Sequence, residues 1–197
     1  MEFIKDGTGG GHSAAVTVNN RLKTTGLDLT LTEAATESGD TYNINSDETT
    51  LSTTGESALF YIENREDTNL IITSIVLNIM DYAGTDGQPI LKIYRNPTAG
   101  TIVTDETAAN QQNRNYGSSK TLVANCYQGG EGKTLSGQDN SVTVYLPSTA
   151  AVTLLDFSTI TVLPKGASLG ISYTPPAGVT SLKIIAAINT TLNGTQL

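Results

Sequence analysis

From Leu27 onward apolar and polar residues alternate with a period of two, in short runs rich in β-branched side chains, and this pattern confines the chain to half-buried strands. Leu27, Leu29 and Leu31 alternate with Asp28, Thr30 and Thr32. Strands are expected at residues 42–45 and 58–63, and then over the long run 70–80, where Ile71, Thr73, Ile75, Leu77 and Ile79 are expected to share one face and centre the core. A helix there is disfavoured because Ile71, Ile72, Thr73, Ile75, Val76 and Ile79 are all β-branched. Further strands are expected at 90–95, 122–127, 142–146, 152–157, 160–163, 169–173 and 182–188. Gly84-Thr85-Asp86-Gly87, Gly129-Gly130-Glu131-Gly132, Pro147-Ser148, Pro164-Lys165-Gly166 and Pro175-Pro176-Ala177-Gly178 punctuate them with turn chemistry.

Residues 98–120 are polar and weakly periodic, too long for a plain connection, so they form a functional loop or conceal short strands. No amphipathic helix longer than two turns is visible. The expected fold is all-β: an antiparallel β-sandwich over residues 27–197, with a jelly roll as the expected version. Strand order is not legible from the residues. Residues 1–26 differ, because Gly7-Thr8-Gly9-Gly10-Gly11-His12 cannot hold a regular element, and they are expected to form an extended glycine-rich arm. Ala14, Val16 and Val18 mark a short strand within it.

Composition removes several functional classes. The 197 residues suffice for one sandwich with an appendage, and only 15% are charged, against about 25% in an ordinary globular chain. A net charge of -8 with only 11 scattered Lys and Arg argues against a nucleic-acid partner, because phosphate backbones are held by clustered cations. An acidic surface suits solubility or a basic protein partner. Cys126 is the only cysteine, which excludes an intrachain disulfide, fits a reducing cytoplasm and is expected to be a small buried residue. The first residues lack the apolar centre of an export signal and no run approaches the length of a membrane span, so a soluble chain with no membrane partner is expected. Asn189-Thr190-Thr191 and Asn193-Gly194-Thr195 match glycosylation acceptors but read as polar tail without a secretory route.

No catalytic constellation assembles. Gly129-Gly130-Glu131-Gly132-Lys133-Thr134 ends like a phosphate-binding loop, yet Tyr127 stands where its first glycine belongs and Leu135-Ser136-Gly137 does not begin a helix. His12, the only histidine, lies in the glycine-rich segment without partners for nucleophilic or zinc chemistry. Asp81 and Asp86 imitate a calcium loop but lack its intervening ligands and closing Glu. A pair of carboxylates for glycoside hydrolysis is easy to find by chance among 19 acids, most of which fall in turns such as Glu66-Asp67 and Asp105-Glu106. The absence of Trp weakens a carbohydrate-binding reading that eight Tyr keep open. The expectation is a chain that is not an enzyme, with no cofactor and no metal.

Three blocks carry a family resemblance. The first is Ile4-Lys5-Asp6-Gly7-Thr8-Gly9-Gly10-Gly11 followed by Ala14-Ala15-Val16 and Asn19-Asn20-Arg21-Leu22. The second is Asn96-Pro97-Thr98-Ala99-Gly100-Thr101 with Asn113-Arg114-Asn115-Tyr116-Gly117-Ser118-Ser119. The third is Leu163-Pro164-Lys165-Gly166 with Pro175-Pro176-Ala177-Gly178 and Ala186-Ala187-Ile188-Asn189. In this order, over nearly the whole chain, they resemble the structural proteins of tailed-bacteriophage virions.

The resemblance implies a non-catalytic capsid decoration or cement subunit that stabilises the head. It would sit on the capsid exterior, after assembly in the bacterial host cytoplasm, with the major capsid protein and further copies of itself, as a homotrimer, for partners. The N-terminal arm would be its attachment device, adding main-chain hydrogen bonds at a neighbour's sheet edge. The candidate interface residues are Ile4, Lys5, Gly9, Gly10, Gly11, Val16, Val18, Arg21 and Leu22 of the arm and Asn113, Arg114, Asn115 and Tyr116 of the central loop. The alternative is a phage surface or tail-associated β-sandwich module that binds host glycan or another virion protein.

Overall fold

A computed structural model describes residues 3–5, 13–15, 31–52, 55–85, 87–146 and 152–193. The chain divides into two compact units, Met1–Leu31 and Thr32–Leu197. In the first, β1 (Phe3–Lys5) pairs antiparallel with β2 (Ser13–Ala15), with Ile4 opposite Ala14. Val16 and Val18 lie outside the described residues.

The alternating pattern misleads at residue 31. Leu31 is not in a strand: it opens helix α1 (Leu31–Glu37). The alanines at 34 and 35 favour helix over strand, and Glu33 in the first turn complements the helix dipole. The helix ends at Gly39, whose φ of +76° takes the left-handed conformation that costs glycine least. Its amide there donates to Thr36 O at 3.0 Å.

Eleven strands and a second short helix follow: β3 (Thr41–Asn45), β4 (Thr49–Leu51), β5 (Ser57–Asn64), β6 (Asn69–Gly84), β7 (Ile90–Arg95), α2 (Thr101–Asp105), β8 (Asn110–Asn113), β9 (Ala124–Gln128), β10 (Asn140–Tyr145), β11 (Val152–Leu163), β12 (Ser168–Thr174) and β13 (Val179–Asn193). They form two antiparallel sheets, one in the order β10-β7-β12-β5-β9, the other in the order β11-β6-β13-β3-β8 with β4 also on β13. The chain is an all-β sandwich. Strands β3, β5, β6, β7, β8 and β9 alternate between the sheets, β10 stays with β9, and β11, β12 and β13 alternate again.

The two sheets share one core. Phe60, Ile62, Leu91, Ile171 and Tyr173 of the first sheet meet Ile44, Ile72, Ile75, Leu77, Leu182 and Ile188 of the second. Each such side chain contributes about 1.5–3 kcal/mol through burial. The expected single face over residues 70–80 is corrected by β6. Its buried positions are Leu70 and Ile72, then Ile75, Leu77 and Ile79, with Ile71 and Thr73 only half-buried. The change of parity is a β-bulge at Thr73: Ile72 pairs with Thr190 and Ser74 with Asn189, leaving Thr73 without an opposite residue. Its hydroxyl donates to Asn189 O at 3.0 Å and holds the bulge.

Two other segments differ from the residue pattern. The separate runs at 152–157 and 160–163 are one strand, β11, with a register shift between Asp156 and Thr161. The stretch 98–120 does conceal short elements, α2 and β8. Helix α2 covers the outer face of the first sheet, where Ile102 packs with Ala58 and Tyr61 beneath Val103, Tyr127 and Leu135. The Tyr61 and Tyr127 rings stack with centroids 5.6 Å apart. Burial on both faces explains why β5 reads as an almost unbroken apolar run rather than an alternating one.

Candidate interaction surface

Most of the arm residues singled out in the sequence, Gly9, Gly10, Gly11, Val16, Val18, Arg21 and Leu22, lie outside the described residues, as do His12 and Asp86. Ile4 and Lys5 belong to β1. Asn113, Arg114, Asn115 and Tyr116 are brought together in one loop at the end of β8.

That loop is built by asparagine side chains that imitate backbone. Asn113 Oδ1 accepts from Asn115 N at 2.9 Å, and Asn115 Oδ1 accepts from Gly117 N at 3.0 Å, two successive Asx turns. The amide ends of the same side chains tie the loop to the helix: Asn113 Nδ2 donates to Gly39 O at 2.8 Å and Asn115 Nδ2 to Glu37 O at 2.9 Å. Arg114 N donates to Thr41 O at 2.9 Å, and Lys120 Nζ pairs with Asp40 at 2.7 Å. The consequence is an anchored loop from which Tyr116 projects with 96% of its surface exposed.

The glycine-rich loop at 129–134 does different work from a phosphate cradle. Its amides are consumed by β5: Gly129 N donates to Leu59 O at 2.9 Å, Gly130 N to Ala58 O at 3.0 Å and Gly132 N to Ser57 Oγ at 3.1 Å. A Cβ on Gly129 would stand 1.9 Å from Ala58 O, so glycine is required by close approach of two backbones. Burial pushes the Cys126 thiol up to about 12, far from the reactive thiolate range. Asp81 shares Lys183 with Glu48, at 3.1 and 3.0 Å.

Glu56 gathers the densest set of side-chain contacts on the outer face of the first sheet. It accepts from Ser172 Oγ at 2.6 Å, from Lys92 Nζ at 2.5 Å and from the Tyr94 hydroxyl. Burial alone raises its pKa, but the three hydrogen bonds outweigh it and the net direction is down. An ionised, internally partnered carboxylate ties β7 to β12 and is poorly suited to act as a general acid. Among the described residues no group of three or more His, Cys, Asp and Glu side chains is arranged to hold a metal ion.

The sandwich has two unlike sides. On one, the sheets are joined: Gln128 N donates to Thr107 O at 2.8 Å, Ala109 N donates to Cys126 O at 2.9 Å, and the same segment continues into β8 on the other sheet. Asp47 laces this side, accepting from Gln128 Nε2 at 2.8 Å and from Asn110 Nδ2 at 3.0 Å. On the other side β10 is the last described strand of its sheet. Leu146 N donates to Pro89 O at 3.0 Å in register with the β10–β7 ladder, so residues 140, 142 and 144 also turn their main-chain groups to β7. By alternation, Ser141, Thr143 and Tyr145 turn theirs away, with Ser141 N donating to Asn140 Oδ1 at 2.7 Å.

This open side carries half of the six large exposed hydrophobic residues among those described: Val142 at 59%, Tyr145 at 62% and Val162 at 42%. A cavity of about 500 Å³ opens there between β7, β10, β11 and β12, with Ile93, Val142, Leu163 and Leu169 in its wall and Arg95 and Asn140 at its polar margin. The sequence reading placed a strand here but not a contact surface. The available signal was negative: Asn140-Ser141-Val142-Thr143-Val144-Tyr145 holds no charge and no proline, the two commonest guards of an edge strand. In comparisons with protein families and with curated proteins, no family model and no protein matches the chain.

Proposed function

We propose that this chain is a bacteriophage virion structural protein, a decoration or cement subunit that binds the assembled capsid from outside and stabilises it. The observation that carries the reading is the anchored loop, which holds Tyr116 at 96% exposure on a frame tied to both α1 and β3. A large aromatic presented without conformational cost is what interface hot spots require. The acidic balance of the chain, -8, suits a basic partner surface. The resemblance in the three sequence blocks supplies the virion context, with the major capsid protein and further copies of the chain, grouped as a trimer, as partners.

The sandwich is further read as a jelly roll. What supports this is the strand order: β3-β13-β6-β11 in one sheet faces β5-β12-β7-β10 in the other, with β8 and β9 added at the edges. This order fits the interlocked winding of two four-stranded sheets, an architecture used in viral capsid and lectin domains. A subunit that binds only the assembled shell stabilises it by mass action.

The reading is tested by adding purified protein to preformed heads that lack it and counting bound copies. Saturable binding is expected, with affinity falling about tenfold or more for Tyr116→Ala and occupancy falling on deletion of residues 1–22. Undiminished occupancy in both variants, or absence of the chain from purified mature virions, overturns it. Tyr116 also suits the alternative of a glycan-binding surface module, since sugars stack on tyrosine. That alternative forecasts loss of adsorption to the host when the protein is removed, where the decoration reading forecasts normal adsorption and fragile heads.

A further inference from the structure

We propose that β10 is a self-association edge, pairing antiparallel with β10 of a second copy about a twofold axis through Thr143. The inference stands on the edge alone and does not rest on the virion reading.

The backbone is prepared for it. Ser141, Thr143 and Tyr145 turn their N–H and C=O groups away from β7, and an edge of this kind is a template for another strand. Natural edges are guarded by brevity, bulges, lysine, proline or a covering element. None of the first four is present over Asn140–Tyr145: the strand is six residues long, its ladder with β7 has no register shift, and it holds neither lysine nor proline. The opposite side of the sandwich shows the contrast, since there residues 107–109 cover β9 and β8 is a four-residue strand of Asn and Gln.

The occupant follows from charge and from self-complementarity. Each copy carries -8, which opposes self-association most where acidic side chains would face each other, and β10 adds no such pair because it is uncharged along its length. A twofold axis at Thr143 places Thr143 opposite Thr143, Ser141 opposite Tyr145 and Val142 opposite Val144. On the inner face, Val142, now 59% exposed, gains an apolar neighbour beside the cavity mouth. On the outer face the Tyr145 ring lies over a serine. The outward N–H groups of Thr143 and Tyr145 find carbonyls in a symmetric antiparallel pair, and Ser141 N, which donates to Asn140 Oδ1 at 2.7 Å in the single chain, exchanges that side-chain acceptor for a carbonyl. One strand pair covers less area than a permanent dimer needs, so the contact is expected to be weak and concentration-dependent. It is also compatible with threefold grouping, since a twofold edge contact joins neighbouring trimers.

The test is a pair of single cysteines in the full chain. Cys126 is buried, at 3% exposure, and stays silent. Residues opposed at the axis have Cα atoms about 5.5 Å apart, within disulfide reach. Thr143→Cys at roughly 100 µM protein, with oxidised glutathione as the oxidant, is therefore expected to give a covalent dimer. Gln138→Cys, equally exposed but five residues from the axis, is expected to give little. Equal cross-linking of both, or none at Thr143→Cys, overturns the proposal. Thr143→Pro supplies an independent arm. Its missing N–H is one the fold does not use, so the variant is expected to fold and to lose the concentration-dependent rise in mass seen by light scattering. Retention of that rise, or no rise in the parent chain, overturns the proposal equally.

Discussion

The two sides of the sandwich are built in opposite ways. Where β9 and β8 lie, main-chain hydrogen bonding passes from one sheet into the other through residues 107–109, and Asp47, Asn110 and Gln128 add side-chain ties. Where β10 lies, the ladder stops and the apolar interior is reached through a cavity of about 500 Å³. The difference teaches how one chain divides its labour. Residues committed to internal pairing on the closed side give rigidity, and residues left unpaired on the open side are what remain for a partner.

The sharpest way to break this comparison is to disturb the closed side. Gly129→Ala forces a methyl against Ala58 O, 1.9 Å from where its Cβ would sit, and is expected to cost about 3 kcal/mol in chemical denaturation. A loss below about 1 kcal/mol would mean that this side yields easily.

Alkali probes the tyrosines of the core, Tyr42 and Tyr173, together with those of the outer face of the first sheet. Tyr42, Tyr61, Tyr94, Tyr127 and Tyr173 all have raised pKa values, burial being the largest cause in each, from an ordinary value of 10.0. A raised folded value means that the native state keeps protons the unfolded chain gives up. Their contribution to stability is therefore whole below pH 10.0 and is lost as the pH rises through the folded values. The urea midpoint is expected to hold from neutrality to that point and then to fall; a flat midpoint to the alkaline limit would contradict the burial of these rings.

Asn113→Ala comes next. It removes two donors to backbone carbonyls and one Asx turn, and is expected to cost about 1–2 kcal/mol. The Tyr173 hydroxyl has no hydrogen-bond partner among the described residues, so Tyr173→Phe is expected to leave stability unchanged or raise it by up to about 1 kcal/mol. Smallest is the open side: Val142→Thr is expected to shift stability by no more than about 0.5 kcal/mol, because this side chain is already in water.

Much of the strand content was legible because alternation and turn residues are local signals. Residues 90–95 match β7 at both ends. The failures are each a contest that local pattern cannot decide. Leu31 continues the alternation of Leu27 and Leu29, yet the alanines that follow it carry the segment into α1. Thr73 sits between two apolar pairs that permit either face, and only the register against β13 fixes the bulge. Strand order depends on contacts between residues more than a hundred positions apart, such as Asn43 with Asn189 at 2.9 Å. Asn113-Arg114-Asn115-Tyr116 was visible as a candidate because it lies in a polar stretch too long for a plain connection, but the Asx turns that build the loop and its attachment to α1 were not. The open edge was readable only as missing lysine and proline.

Amide hydrogen exchange, followed residue by residue at two protein concentrations, tests the division between the two sides most directly. In dilute solution Ala109, Gln128 and Gly129 are expected to be slow and Thr143 and Tyr145 fast, with the latter two gaining protection as concentration rises. Rapid exchange at Ala109, Gln128 and Gly129, or protection at Thr143 and Tyr145 that is independent of concentration, would contradict a sandwich sealed on one side and adhesive on the other.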